Sequence, residues 1–159
     1  MSKAKIELIG FSRQVYTKVD VFDVPSMDSR RFEKIKIGLE RNGIAVIQDS
    51  EGDSYLRFMG AEAMTLSDAS AVIFQSSRIP SASAVFEEVI HATQIRENGP
   101  VSTYGNKNGA IEYLNREIEA NEKLLKNRKN YRLTDKDIES VEINLAQYYA
   151  KLKEVIGDV

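Results

Sequence analysis

Hydrophobic positions follow a period of two early in the chain and a helical period later. Lys5 to Phe11 and Gln14 to Val24 are rich in Val, Ile, Phe and Tyr, with Val15, Thr17, Val19 and Val21 on alternate positions, the pattern of half-buried strands. Pro25 closes that segment. Ser26 and Asp28 offer N-caps for a helix carrying Phe32, Ile35 and Leu39, and Gly43 suits the position just past its end. Ile44 to Gln48 and Tyr55 to Met59 flank the turn-rich DSEGD and read as a β-hairpin with a longer loop. Gly60 to Ser70 is less regular, and the short apolar run Ala71 to Phe74 reads as another strand.

The second part is helical. One helix is expected from Ser81 or Ser83 to Arg96, followed by the loop ENGPVSTYGNKNG and a second helix from about Ala110 to Asn130. Thr134 caps a last helix, with Asp135 and Asp137 in its first turn, where the helix dipole favours negative charge. Leu145, Tyr148, Tyr149 and Leu152 supply its apolar face. The expected fold is α+β over residues 1–159 as a single domain: a small twisted sheet with one helix from residues 1–75, packed against three helices from 80–156.

Composition narrows the chemistry. The 159 residues include no cysteine and one histidine, His91. Disulfides, Cys-ligated zinc and thiol nucleophiles are excluded, as is any mechanism that needs two histidines from this chain. Lys+Arg is 22 against Asp+Glu 24, a net charge of -2, and this argues against a dedicated nucleic-acid binder. No apolar run approaches the ~18 residues of a membrane span, and the start lacks a secretory pattern. The expectation is a chain made in the cytoplasm, without a membrane partner.

The lone histidine lies in Ser83-Ala-Val-Phe-Glu87-Glu88-Val-Ile-His91-Ala-Thr-Gln94. At helical spacing Ala92, Val85, Val89, Thr93, Phe86 and Ile90 share one arc, and Gln94, Glu87, His91 and Glu88 share the opposite one. Glu87 and His91, at i and i+4, can share a ligand. A solvated face carrying a salt-bridged histidine is the simpler interpretation. In the next helix Ile111, Leu114, Ile118, Asn121 and Leu125 form an arc with Leu124 at its margin, and Glu117 falls against it. A carboxylate on a core-facing edge needs a cation, a donor or a metal. Arg96 or Arg116 would meet that need as ion-pair partners; a metal shared with Glu87 and His91 would meet it as a third ligand. Tyr104, in the intervening loop, is placed to stabilise an oxyanion beside such a site or simply to pack the loop.

Glu87-Glu88-Val-Ile-His91 followed by Glu117-Ile-Glu-Ala-Asn121 resembles the zincin metallopeptidases of the gluzincin branch, in which HExxH on one helix binds zinc with a Glu from a later helix. The phrase EEVIHATQ with its charged helical tail is similar to small metallopeptidase-like domains of bacterial polymorphic toxins and phages. The resemblance covers roughly residues 70 to 156. It implies a zincin-like fold, with the strand before the helix lying as an edge strand along a cleft. It implies that Glu87, His91 and Glu117 are metal ligands, that Glu88 is the general base, and that the substrate is a protein or peptide. As a toxin effector, the protein would be delivered to another cell and have an immunity partner.

Glu87 stands where the family has its first histidine. Two carboxylates and one imidazole still make a legitimate zinc site, and a harder set that suits Mn²⁺ or Fe²⁺ comparatively better. Two alternatives remain. One is a catalytically inactive zincin-like interaction protein, with Glu87, His91 and Glu117 paired to Arg96 or Arg116. The other is a metal-free nuclease-type toxin using a Glu/His pair, which requires a basic wall facing His91.

Overall fold

The computed structural model describes residues 24–101 and 107–157, together with the backbone of a short strand at 12–14. It is α+β. In chain order the elements are β1 (Ser12–Gln14), α1 (Ser29–Arg41), β2 (Ala45–Ile47), α2 (Ser50–Met59), β3 (Ala61–Thr65), β4 (Ala71–Phe74), α3 (Ala82–Asn98), α4 (Lys107–Lys126) and α5 (Asp135–Gly157). The sheet order is β1-β3-β4-β2. β3 is antiparallel to β1 and to β4, and β2 is parallel to β4. Most of the strand-rich stretch expected over Lys5 to Val24 lies outside the described residues.

Local signals explain the helix ends. Asp28 caps α1, its carboxylate accepting from the Arg31 N–H, and Gly43 follows with a left-handed φ of 78°. Ser81 caps α3 through the Ala84 N–H. Thr134 and Asp137 cap α5 reciprocally: Asp137 Oδ2 accepts from the Thr134 N–H and hydroxyl, and Thr134 Oγ1 accepts from the Asp137 N–H. Asp137 also accepts from the Ser83 N–H at 3.0 Å. One buried carboxylate thereby ties the start of α5 to the first turn of α3.

Three expectations for the first half are corrected. DSEGD is not a hairpin loop and Tyr55 to Met59 is not a strand. Both belong to α2, capped by Asp49, whose side chain accepts from the Gly52 N–H at 2.7 Å. Gly52 lies where α2 meets the sheet: a Cβ there would sit 3.0 Å from Ile47 Cγ2 and 3.1 Å from Ile73 Cγ2. This glycine permits close packing of a helix rather than a turn. The stretch after Gly60 contains β3, not irregular chain. The first half therefore contributes two helices, α1 and α2, not one.

The sheet lies between helical layers. Met64 and Ile73 face α2 with Leu56, Ile47 and Tyr55. Their strand neighbours Ala63, Val72 and Phe74 face the other way, joining Phe32 and Leu39 of α1 and Val85, Ala92 and Ile95 of α3, as the alternation of strand side chains dictates. Ile90 of α3 then packs with Ala120 and Leu124 of α4 and Val141 of α5. α3 is thus the inner helix, covered by the sheet on one side and by α4 and α5 on the other. The strand before it, β4, is interior to the sheet and fully buried, so the expected edge strand is not there.

Candidate metal centre

The inner position of α3 changes the meaning of its polar arc. Glu87, Glu88, His91 and Gln94 are 0–2% exposed, whereas Thr93 of the opposite arc is exposed and Phe86 and Val89 are only half-buried. The solvated-face interpretation is therefore overturned. α4 brings Glu117 to the same place, at 0% exposure. One ligand atom from each of Glu87, His91 and Glu117 lies within 4.8 Å of the others. His91 Nε2 is 3.2 Å from Glu117 Oε1.

α4 runs so that Ala120, Leu124 and Ile118 fill its apolar contacts while Glu117 and Asn121 stay on the buried side between them. Asn121 Nδ2 donates to the Glu117 carbonyl at 2.8 Å. Glu117 Oε2 and Asn121 Oδ1 are buried and accept no hydrogen bond. Buried acceptors in that condition cost roughly 1–3 kcal/mol each, and a cation beside them would remove the cost for the carboxylate.

Electrostatics within the cluster are dominated by acids. Burial alone would push the His91 imidazole down, but the Glu117, Glu88 and Glu87 carboxylates more than offset it and raise its pKa from 6.5 to about 10. The two guanidiniums anticipated as partners are engaged elsewhere. Arg96 donates to the Asn42 carbonyl. Arg116 donates to the Gly99 carbonyl at 2.6 Å and to Glu112 at 2.9 Å.

Two further residues complete the surroundings. Thr65, at the end of β3, donates its hydroxyl to Glu88 Oε1 at 2.8 Å, with the Glu88 carbonyl a competing acceptor at 3.1 Å. Gln94 Oε1 lies 2.9 Å from His91 Nδ1, and Gln94 Nε2 donates to the Arg116 carbonyl at 3.0 Å and to Glu119 at 2.9 Å. Gln94 is visible in the sequence as a member of the polar arc. Thr65 is not, because its strand has no alternating pattern and it lies 23 residues from Glu88. Tyr104 lies outside the described residues.

The donors fit a divalent metal. Two carboxylates and one imidazole nitrogen converge, all at once buried and mutually close, a donor set of the kind that binds zinc with three protein ligands. Comparison with family models, with curated proteins and with solved structures returns no match for this chain. No helix among the described residues is long and apolar enough to cross a membrane.

Proposed function

We propose that the protein is a zincin-like metal-dependent hydrolase acting on a peptide or protein, with Glu87, His91 and Glu117 as metal ligands and Glu88 as general base. The observation that carries this reading is the convergence of three ligand atoms from α3 and α4 within 4.8 Å, in a fully buried setting. A divalent ion held there by Glu87, His91 and Glu117 would supply Lewis-acid polarisation of the scissile carbonyl and a more acidic water. Zn²⁺ is compatible with the donors, and the two carboxylates make Mn²⁺ or Fe²⁺ competitive.

The chain's own groups then have distinct tasks. Glu88, next to the ligand Glu87, takes a proton from the attacking water and returns it to the leaving amine. Thr65 holds Glu88 Oε1 through its hydroxyl at 2.8 Å. Burial beneath the sheet and α5 strengthens each of these interactions by excluding bulk water.

The test is peptide hydrolysis by metal-loaded wild type and Glu88→Gln, with metal content measured on both. The proposal expects equal metal content and a loss of about 10²–10⁴ in kcat for the variant. Equal hydrolysis by both would remove Glu88 from the chemistry.

A second reading draws on the completeness of burial. Glu87, Glu88, His91 and Glu117 are 0–1% exposed, which also suits an inactive zincin-like interaction protein that keeps the cluster as structure. It expects no hydrolysis by wild type under any loading. The metal-free nuclease is less well supported, because the charges acting on His91 are carboxylates rather than a basic wall.

A further inference from the structure

We infer that Gln94 is a positioning residue that assigns metal ligation to Nε2 of His91, through a side-chain amide whose orientation is imposed from α4. The inference rests on the metal-site reading above and extends it to the ring's tautomer.

The argument begins with the amide. Gln94 is 2% exposed and meets three groups at once. On one side are the Arg116 carbonyl at 3.0 Å and the Glu119 carboxylate at 2.9 Å. Both are acceptors only, so the NH₂ of Gln94 must face them. The reversed amide would aim its carbonyl oxygen at a carbonyl and a carboxylate. Two contacts from the neighbouring helix therefore settle which end of the amide points at His91.

That end is Oε1, 2.9 Å from His91 Nδ1. A carbonyl oxygen accepts but cannot donate, so Nδ1 must carry a hydrogen. In a neutral imidazole only one nitrogen does. When the ring gives up its second proton to bind metal, the lone pair is on Nε2, the nitrogen that faces Glu117 at 3.2 Å. Gln94 thus presents the correct nitrogen to the carboxylates and holds the ring against rotation, the task that partners outside the ligand set perform in metal sites generally. Glu119 is half-exposed, so the relay runs from buried ring to surface through one amide.

The single histidine makes the inference directly measurable. In protein labelled with ¹⁵N-histidine and loaded with Zn²⁺, correlation of ring protons with ring nitrogens reports one imidazole. Wild type is expected to show Nδ1 protonated and Nε2 bound to zinc. Gln94→Leu is expected to lose the unique Nδ1–H state and to bind Zn²⁺ about 10- to 100-fold more weakly. Gln94→Glu, which keeps an acceptor toward Nδ1 but loses the donor to the Arg116 carbonyl and Glu119, is expected to retain the Nδ1–H spectrum that Gln94→Leu loses. Zinc bound through Nδ1 in wild type, or a wild-type spectrum and affinity in Gln94→Leu, would overturn this inference while leaving the metal site intact. Failure of wild type to take up zinc, read from stoichiometry in the same samples, would overturn the metal reading and this inference with it.

Discussion

His91 Nε2 and Glu117 Oε1 face each other at 3.2 Å across the α3–α4 interface, and neither side chain is exposed to solvent. Two residues 26 positions apart share one point because α3 is an inner helix and α4 packs on it through Ile90, Ala120 and Leu124. In the metal-free protein the contact is an imidazolium–carboxylate pair. On the proposed reading a bound metal would make them two ligands of one ion.

Removing one partner tests that pairing. A buried charge left wholly uncompensated costs about 3–5 kcal/mol, but His91 would still face Glu87 and Glu88, so the expected cost is about 1–3 kcal/mol. Glu117→Gln is expected to destabilise the metal-free protein on that scale in denaturant unfolding. It should also abolish the extra stability that a divalent metal gives wild type. A variant as stable as wild type, with an undiminished response to metal, would contradict the assignment.

The pH dependence has a definite sign. In the folded metal-free chain His91 titrates at about 10, above its ordinary 6.5. The stability it contributes is complete below about pH 6.5 and is lost as pH rises through about 10. Metal binding requires the deprotonated nitrogen, so apparent metal affinity should rise about tenfold per pH unit across that window. Zinc titrations at several pH values check this; a flat dependence would show that no proton leaves.

Thr65→Val removes one hydroxyl and little volume. It should leave metal stoichiometry unchanged, lower peptide hydrolysis, and destabilise by about 1–2 kcal/mol by taking a donor from the buried Glu88 carboxylate. Metal analysis, kinetics and unfolding on the same preparation separate the three effects.

Asp137→Ala should be costlier than loss of an ordinary cap. Its carboxylate serves the Thr134 N–H and hydroxyl and the Ser83 N–H. A single cap is worth about 1 kcal/mol, and charge-assisted bonds at both helix ends raise the expected loss to about 3 kcal/mol. Thermal unfolding measures it. A loss below that of a typical cap would show that the link between α3 and α5 contributes little.

The helical half was legible because its signals are local. Ser81, Thr134, Asp135 and Asp137 mark helix starts, and the period of Leu114, Ile118 and Leu124 marks the core side of α4. The grouping of Glu87, His91 and Glu117 was legible for the same reason: helical phase puts them on facing positions, which needs no knowledge of partners. Burial of the polar arc was not legible, since phase puts it opposite the apolar residues without revealing that two more helices cover it. The first half failed on competing signals. Tyr55 and Phe58 favour strands, but Tyr55, Leu56 and Met59 follow helical spacing from Gly52, and Gly52 resembles a turn residue although it serves close packing on Ile47 and Ile73. β3 was missed because both its faces are covered, so Ala61–Thr65 shows no alternation.

The most direct measurement is the metal content of the purified protein after loading with a divalent ion and removal of excess, compared with Glu117→Ala and His91→Ala. The account predicts one ion per wild-type chain and none retained by either variant. No ion on wild type under loading with Zn²⁺, Mn²⁺ or Fe²⁺, or an ion retained equally by folded Glu117→Ala and His91→Ala, would contradict it.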